Sequence, residues 1–429
     1  MIDLRLLRSA PGEMRAALAR RGDATVDALL NEIQALDEQR RKLTGALDQL
    51  KARRNEAAQA DAKLVKQQGA LPPEVAVERR ALGAQIAEAE AGLRVVEADL
   101  EANALFVPNP PLPDVPDGDA SKNQIVRSWG TPRPNGADTK PHWEIAERLG
   151  LLDLPRGAKL AGSGFPVFLG AGARLARALI QLMLDLHVRE HGYVEVSPPI
   201  LVRREVMQGT GQIPKFEDDA YRTEPDDLFL VPTAEVPLTN LYRDEILDAA
   251  LLPLALTAYT PCFRREAGAA GKDTRGLLRV HQFDKVELVR FTTAADSAAE
   301  HERLTQHAET VLRQLELPYR VVQLAAGDLG FAAAKTYDLE AWAPGVGAWL
   351  EVSSASSFTD FQARRANIRC RRARGEKPEF VHTLNASGVA LPRTIAALLE
   401  TRLEPDGSVT MPPALVPYVG TDRLRPSGA

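Results

Sequence analysis

Cysteine is scarce in this chain of 429 residues, which contains only Cys262 and Cys370. Two cysteines cannot form a cysteine-ligated metal cluster or a disulfide framework, and their scarcity favours a reducing compartment. The sequence also lacks any run of about 18 apolar residues, so no membrane span is predicted. The N-terminal segment MIDLRLLRSAPGEM carries early charges and no long apolar run, which argues against a secretory signal. We therefore expect a cytoplasmic protein with no membrane partner.

A large net charge is missing as well. The formal net charge is −5, with 26% charged and 45% hydrophobic residues, which is ordinary for a soluble globular protein. Any binding to nucleic acid must therefore depend on local basic patches. The length is sufficient for two or three domains with a large core.

The first hundred residues carry a heptad-like pattern of apolar or core-compatible residues. Two such runs step alternately by four and three, and the helix-breaking segment QQGALPP at 67–73 separates them. The pattern predicts two long antiparallel helices of roughly 55 Å each. Charged residues interrupt the seam at Arg40, Arg54, Asp61 and Arg79. The seam positions are 29, 33, 36, 43, 47, 50, 57 and 64, then 75, 82, 86, 89, 93, 96, 100 and 103.

Two roles are open for this helical hairpin on its own pattern. It could be a dimerisation coiled coil or spacer. Alternatively, the basic clusters at 40–42 and 51–54 could contact phosphates along an RNA. The Pro-rich segment VPNPPLPDVPDGDA at 107–120 marks the end of this region. We predict an arm domain at 1–106, a linker at 107–128 and a catalytic domain at 129–429.

The segment 260–287, TPCFRREAGAAGKDTRGLLRVHQFDKVE, reads as two charge-rich strands joined by a glycine-rich loop. Because strand side chains alternate, Arg264 and Glu266 are expected to share one face, with Arg265 on the other. Phe283 and Glu287 share a face of the return strand. Arginine can hold phosphate oxygens, an aromatic ring can stack on a base, and a carboxylate can bind an ammonium group. The alternative is a hairpin with a solvated, salt-bridged outer face.

This segment closely resembles motif 2 of class II aminoacyl-tRNA synthetases, in the form found in bacterial-type seryl-tRNA synthetases. Other segments resemble the remaining parts of that family, in the family's order. The amphipathic helix at 172–191 with the strand at 192–199 resembles motif 1, which implies a homodimer. The segment HTLNASGVALPR at 382–393 resembles motif 3. The segment VPTAEVPLTN at 231–240 resembles the family's serine-binding segment. The segment EVSS at 351–354 resembles the family's ATP and magnesium segment.

The resemblance implies a pocket for L-serine. Such a pocket needs a carboxylate for the ammonium group and small polar groups around the hydroxyl, and it then rejects analogues that lack the hydroxyl. Thr233 also suits the N-cap of a helix with Glu235 in its first turn, and both roles are compatible. The implied serine-binding residues are Thr233, Ala234, Glu235, Glu287 and Ser387, with Asn385 ranked below them.

The same resemblance implies an ATP site. It assigns Arg264 to the α-phosphate, Glu266 to the neighbourhood of the adenine and Phe283 to stacking on the base. Arg393 would lie on the other face of the base or at the γ-phosphate end, at the anion-binding N-terminus of a helix. The implied ATP-binding residues are Arg264, Arg265, Glu266, Val280, Phe283, Glu351, Val352, Ser353, Ser354 and Arg393, of which Arg264, Glu266 and Arg393 are the catalytic residues.

A Mg²⁺ ion is implied at Glu351 and Ser354, and a carboxylate suits this hard cation. Ideal strand alternation would instead place Glu351 beside Ser353, so the strand must bulge or end for Ser354 to reach the same ion. Without its neighbours, this segment would be read as an ordinary edge strand. In the motif 2 loop, Lys272, Asp273 and Arg275 are open candidates for contact with the tRNA end.

The predicted fold is α+β: an N-terminal antiparallel helical hairpin, followed by a class II catalytic domain on an antiparallel β-sheet flanked by helices. The resemblance implies ATP-dependent attachment of L-serine to tRNA(Ser), and also to tRNA(Sec), through a seryl-adenylate. An amino acid–carrier-protein ligase is one alternative, although such relatives lack the long arm. A catalytically inactive RNA-binding paralogue is a second, although it would be expected to lose charged motif residues that are present here. A specialised duplicate is a third.

Overall fold

The structure is a computed structural model, and it describes residues 1–267 and 275–426. The chain divides into two compact units. The helical unit comprises Ile2–Ala19 and Asp23–Val107, and the sheet unit comprises Met1, Arg20–Gly22 and Pro108–Ala429. Most of the predicted motif 2 loop, including Lys272 and Asp273, lies outside the described residues. No helix of the described chain is long and apolar enough to cross a lipid bilayer.

The helical unit confirms the predicted pair of long helices. The chain turns between them where Gly69 adopts a left-handed conformation, with φ of 77°, and two prolines follow. By length, the long helices extend about 66 and 48 Å at 1.5 Å per residue. The helices of this unit are α1 Leu4–Ser9, α2 Pro11–Ala19, α3 Thr25–Gln68 and α4 Pro73–Ala104.

The seam between α3 and α4 is apolar, and a charged pair crosses it near the turn between the two helices. Leu47, Leu82 and Ile86 are buried in it. The predicted interruptions Asp61 and Arg79 meet across the seam, where Arg79 Nε lies 2.9 Å from Asp61 Oδ2. Asp61 and Arg79 thus compensate each other's charge, which lets the two helices continue past this point.

The sheet unit contains nine α-helices within its described residues. Helix α7 has the apolar stripe predicted for motif 1, and its leucines 175, 179, 182 and 186 are buried in the main core together with Met183. The helices are α5 His142–Arg148, α6 Leu154–Ala161, α7 Ala171–Arg189, α8 Arg204–Thr210, α9 Glu235–Asn240, α10 Ser297–Gln314, α11 Phe361–Ala366, α12 Leu391–Thr401 and α13 Val416–Val419.

The strands of this unit form one large sheet and three small ones. The small sheets are β13-β12-β6, β15-β16 and β3-β5-β4. The strands are β1 Gln124–Trp129, β2 Val194–Glu195, β3 Leu201–Arg203, β4 Arg222–Thr223, β5 Leu228–Leu230, β6 Ile246–Asp248, β7 Leu254–Phe263, β8 Gln282–Thr292, β9 Tyr319–Gln323, β10 Lys335–Ala343, β11 Ala348–Thr359, β12 Arg369–Arg371, β13 Glu379–Phe380, β14 His382–Ala390, β15 Val409–Thr410 and β16 Arg423–Leu424.

The large sheet has the order β1-β9-β10-β11-β14-β8-β7-β2. All its pairings are antiparallel except that of β2 with β7. Helices α7, α10 and α12 pack on this sheet and form the main core with it. The predicted α+β fold with an antiparallel catalytic sheet is therefore confirmed. The central strands β11, β14, β8 and β7 bring together the segments that resemble the class II motifs.

The segment predicted as a linker, 107–128, is largely part of the sheet unit. The N–H groups of Asn109 and Leu112 donate to the carbonyl oxygens of Phe331 and Ala334. Its last residues begin strand β1 at the edge of the large sheet. Proline prevents helix formation here, but the chain still forms backbone hydrogen bonds to the sheet unit.

Candidate active site

A cleft of about 480 Å³ opens over the central strands of the large sheet. It collects residues from separate parts of the sequence, which the antiparallel order of β8, β14, β11 and β10 makes spatial neighbours. The predicted site residues that line it are Thr233, Glu235, Arg264, Glu266, Val280, Phe283, Glu351, Val352, Ser354, Asn385, Ser387 and Arg393.

Glu287 lies in β8 next to the end of the cleft that Thr233, Glu235 and Asn385 line, here called the closed end. Glu287 itself is fully buried and does not line the cleft. The neighbouring strand β14 places Ser387 directly opposite it. Asn385 Nδ2 donates to Glu287 Oε1 at 2.8 Å and to Glu235 Oε2 at 3.1 Å. Thr233 Oγ1 donates to Glu287 Oε2 at 3.0 Å. Asn385, ranked low from sequence, therefore bridges the two buried carboxylates.

The N-cap role predicted for Thr233 is wrong by one residue, although its hydroxyl still contacts the first residue of the helix. Its hydroxyl oxygen accepts a hydrogen bond from the backbone N–H of Glu235 at 3.1 Å while its proton goes to Glu287. Helix α9 begins at Glu235, and Ala234 is its N-cap residue. Ala234 is fully buried and does not line the cleft. The start of α9 thus fixes both the Thr233 hydroxyl and the Glu235 carboxylate.

Two further residues complete this polar network, and sequence reasoning gave neither of them a role. Lys285 forms an ion pair with Glu287, and its position two residues earlier on the same strand was the available signal. Gln362 Nε2 donates to Glu235 Oε1 at 2.6 Å. Thr383 in turn donates to the amide oxygen of Gln362. A fully buried glutamine at the start of α11 supports Glu235 from behind.

The two carboxylates of this network face a deficit of positive charge. Burial, and then the charge of Glu287, raises the pKa of Glu235 to about 7. The hydrogen bond from Gln362 and the charges of Lys285 and Arg264 oppose this rise without cancelling it. A small cationic group entering the closed end of the cleft would relieve the repulsion.

The tip of the β7–β8 hairpin differs from the predicted alternation. Strand β7 ends at Phe263, and Glu266 has a positive φ of 52°. Arg264 and Glu266 both line the cleft because the chain turns there, not because a strand places them on one face. Arg265 is exposed, does not line the cleft, and donates its backbone N–H to Asp219 O at 2.8 Å.

Cations and an aromatic ring gather at the open end of the cleft. The guanidinium carbon of Arg264 lies 5.1 Å from the centroid of the Phe283 ring. Arg393 follows Pro392 in the first turn of α12, as predicted. Its Nε donates to Leu278 O at 3.0 Å, and its Nη1 donates to Glu351 O at 3.0 Å. Arg393 thereby connects α12 to two other walls of the cleft.

The predicted bulge near Glu351 is present in β11. The residue opposite Glu340 is Glu351 and the residue opposite Leu339 is Ser353, so Val352 is the extra residue. Glu351 and Ser354 consequently both line the cleft. Ser353 does not, since it is buried and its hydroxyl donates to Ser387 O at 2.7 Å.

Asp338 on β10 lies directly opposite Ser354 and was not singled out from sequence. Its Oδ1 atom is buried and has no hydrogen-bond partner among the described residues. Burial, and then the nearby carboxylate of Glu351, raises the pKa of Asp338 well above its ordinary value. Oxygen ligands of this kind suit Mg²⁺. Within residues 1–267 and 275–426, no group of three His, Cys, Asp or Glu residues is arranged to hold a metal ion.

Arg275 is the one candidate from the motif 2 loop that the structure describes. Its guanidinium carbon lies 4.8 Å from the centroid of a Trp143 ring. It is exposed and does not line the cleft.

Comparison with known proteins gives a consistent result over the whole chain. A family model described as the tRNA synthetase class II core domain (G, H, P, S and T) matches residues 215–402. A model described as the seryl-tRNA synthetase N-terminal domain matches residues 1–111. The serine–tRNA ligase of Gemmatimonas aurantiaca is 56% identical over 421 residues, which cover 98% of this chain and 99% of the relative.

Solved structures agree with these matches. The crystal structure of seryl-tRNA synthetase from Pyrococcus horikoshii complexed with ATP superposes with a TM-score of 0.92 at 38% identity, covering 99% of this chain and 100% of that one. Cytoplasmic serine–tRNA ligase from Naegleria fowleri in complex with AMP superposes with a TM-score of 0.85 at 28% identity, covering 99% and 97% of the two chains.

The raised pKa of Glu235 predicts a pH-dependent stability of the unliganded protein. The folded-state pKa of about 7 lies above the ordinary glutamate pKa of 4.5. Stability from the protonated carboxyl is therefore fully present below the unfolded-state pKa and is lost as pH rises through about 7. Between pH 5 and pH 8 we expect a loss on the order of 2 kcal/mol. In Glu235→Gln, the pH-dependent loss should be smaller by this amount.

The measurement is thermal unfolding followed by tryptophan fluorescence, because all four tryptophans, 129, 143, 342 and 349, lie in the sheet unit. Glu224→Gln, at an exposed position, is the control and should follow the unsubstituted protein. If the unfolding temperature of Glu235→Gln and that of the unsubstituted protein change with pH in parallel, Glu235 is not the group that causes the pH-dependent loss of stability.

Proposed function

The chain belongs to the seryl-tRNA synthetase family of class II and uses ATP to attach serine to tRNA, and we propose how its residues divide this work. The observation that carries the assignment is the composition of one cleft. Its closed end is lined by Glu235, with the Glu287 carboxylate buried next to it, and its open end is lined by Arg264, Phe283 and Arg393. The ammonium group of an amino acid fits the first end, and a nucleotide polyphosphate fits the second.

L-serine is the amino acid in this proposal. Its ammonium group approaches Glu287 and Glu235, where it supplies the positive charge that Lys285 alone does not provide. Its hydroxyl lies among Thr233, Asn385 and Ser387, all of which border the closed end. A hydroxyl held by buried polar groups distinguishes serine from alanine, because alanine would leave those groups unpaired.

ATP occupies the open end of the cleft. The adenine base takes the face of Phe283 that Arg264 now covers, and the guanidinium of Arg264 moves to the α-phosphate. Arg393 lies at the N-terminus of α12, where the helix dipole and the guanidinium both favour phosphate. Glu266, which pairs with Arg279, borders the adenine, and Val280 adds backbone contacts. A relative with the same fold has been crystallised with ATP.

Two displacements at this site give the product. The serine carboxylate attacks the α-phosphorus of ATP, and pyrophosphate leaves. The terminal adenosine hydroxyl of tRNA then attacks the carbonyl carbon of seryl-adenylate, which releases AMP. The protein contributes positioning and charge neutralisation, since the carboxylate nucleophile is already ionised at neutral pH.

Mg²⁺ fits the oxygen-rich wall formed by β10 and β11. Glu351 and Ser354 are the proposed ligands, and the unpartnered buried oxygen of Asp338 lies on the strand opposite them. When bound, Mg²⁺ neutralises charge on the phosphate oxygens. Arg393 Nη1 lies 3.3 Å from Glu351 Oε2, so the chain itself supplies a cation beside this carboxylate.

The helical unit is the proposed tRNA-binding arm, for tRNA(Ser) and also for tRNA(Sec). Several residues of its basic clusters are already paired, namely Arg40 and Arg41 with Asp37, and Lys51 with Glu90. Arg53 and Arg54 are exposed, and within the described chain neither lies within 4.0 Å of a carboxylate. These two arginines are therefore the best candidates for phosphate contacts.

A homodimer is the proposed assembly, and the cytoplasm the proposed location. Helix α7 leads into β2, an edge strand of the large sheet, as in motif 1. Val194 in β2 is 63% exposed, and Leu201 nearby is 43% exposed. An apolar edge strand is a surface that natural proteins cover. Both cysteines are free and buried, which suits a reducing compartment.

Serine-dependent ATP–pyrophosphate exchange tests the site. We expect Arg264→Ala to lower kcat/KM for ATP at least about 100-fold, because a charge-assisted phosphate contact is lost. Glu287→Ala should lower kcat/KM for serine by a similar factor. Arg156→Ala and Glu147→Ala change exposed residues outside the cleft and should leave both values unaltered. Exchange that survives in Arg264→Ala and Glu287→Ala would refute the residue assignment, and exchange with alanine but not serine would refute the substrate.

Removal of residues 28–104 tests the arm. Because the cleft is built within the sheet unit, we expect pyrophosphate exchange to persist within about threefold while tRNA charging falls at least about 100-fold. Equal loss of both activities would mean that the arm is needed to fold the sheet unit. Arg53→Ala/Arg54→Ala is the finer variant, and it should weaken tRNA binding and flatten its salt dependence.

A further inference from the structure

A buried, hydrogen-bonded pair of side chains outside the cleft connects several of its walls. His142 begins α5 and Glu400 lies in the last turn of α12, and neither side chain has any solvent exposure. His142 Nδ1 lies 2.8 Å from Glu400 Oε1. Neither residue lines the cleft, and neither belongs to the segments that resemble the class II motifs.

The Glu400 carboxylate has a full set of donors. Oε1 accepts from the backbone N–H and from Nδ1 of His142. Oε2 accepts from the backbone N–H groups of Gly345 and Val346 at 2.8 and 3.0 Å. A carboxylate offers about four lone-pair positions, so all of them are used. Glu400 therefore ties the β10–β11 turn to α12 and α5.

The other nitrogen of His142 fixes its tautomer. The backbone N–H of Leu277 donates to His142 Nε2 at 3.0 Å, so Nε2 carries no proton and Nδ1 donates to Glu400. The chain approaches the ring closely at this point. A Cβ atom on Gly276, which has φ of +69°, would lie 2.4 Å from His142 Nε2. Only glycine both adopts this positive φ readily and leaves room for the imidazole ring.

His142 and Glu400 contact three segments: the stretch that begins at Leu277, the β10–β11 turn and helix α12. Each of these segments carries or adjoins residues at the open end of the cleft, where ATP is proposed to bind. Leu277 starts the run 277–280 that lines the cleft, and Leu278 O accepts from Arg393. The β10–β11 turn leads directly into the strand that bears Glu351. Helix α12 presents Arg393 at one end and Glu400 at the other. The serine network at Glu235, by contrast, has no hydrogen bond to His142 or Glu400 in the described chain.

From these contacts we propose that His142 and Glu400 are positioning residues for ATP that set the relative placement of the motif 2 return segment, the β10–β11 turn and α12. The proposal rests on the proposed function, since it names the nucleotide as the ligand affected. A purely structural role would weaken both ends of the cleft alike. A positioning role acts on ATP and spares serine.

Substitution of His142 by asparagine and by glutamine separates the two roles. Asparagine can still donate to Glu400 but is too short to accept from the Leu277 N–H, whereas the longer glutamine can place its amide oxygen there. In pyrophosphate exchange, we expect His142→Asn to raise KM for ATP about tenfold and KM for serine less than twofold. His142→Gln should bring KM for ATP back to within about threefold of the unsubstituted protein.

Ligand-induced stabilisation gives a readout that does not depend on turnover. ATP should raise the unfolding temperature of His142→Asn, followed by tryptophan fluorescence, less than it raises that of the unsubstituted protein. The shift caused by serine should be unchanged. Leu424→Ala, a core truncation that does not line the cleft, is the control for lowered stability alone and should keep both shifts.

Equal rises in both KM values, or loss of the serine shift together with the ATP shift, would overturn the proposal. So would identical behaviour of the asparagine and glutamine variants. If His142→Asn does not fold, Glu400→Gln decides the matter, because it keeps the side-chain size and replaces one acceptor with a donor. Absence of exchange in the unsubstituted protein would instead refute the proposed function, and the ATP shift would still report on positioning.

Discussion

The closed end of the cleft depends on one constraint, which is that two carboxylates are buried side by side with a single lysine. Glu235 and Glu287 can remain there only if each oxygen has donors and some of the charge is neutralised. The amides of Asn385 and Gln362 and the hydroxyl of Thr233 meet the first requirement. The second is met only in part, and a cationic group of a ligand would supply the remaining positive charge.

Local patterns in the sequence were sufficient to predict those helices and strands whose residues follow a regular spacing. The four-and-three spacing gave the two arm helices, because a repeated apolar stripe needs no distant partner to define it. The conflict between strand alternation and the pairing of Glu351 with Ser354 required a bulge, and Val352 supplies it. Resemblance to a known family added the order of the motifs, which periodicity alone could not provide.

The remaining features depend on register between distant strands. Asn385 reaches both carboxylates only because β14 aligns residue 387 with residue 287. Asp338 lies opposite Ser354 because β10 pairs with β11 across a turn of a particular length. The tip of the β7–β8 hairpin leaves the strand conformation after Phe263, so alternation failed for Arg264 and Glu266. Single-sequence patterns do not contain this information.

The ion pair between Asp61 and Arg79 limits how the arm can change in length. It favours one alignment of the two long helices, since a shift of either helix would separate the two charges. Residues between 61 and 79 form a closed end that can be shortened or extended without disturbing the rest of the seam. An insertion in α3 before Asp61 requires an insertion of equal length in α4 after Arg79. Arms of different reach in related chains should therefore differ by matched blocks in α3 and α4, or only at the tip.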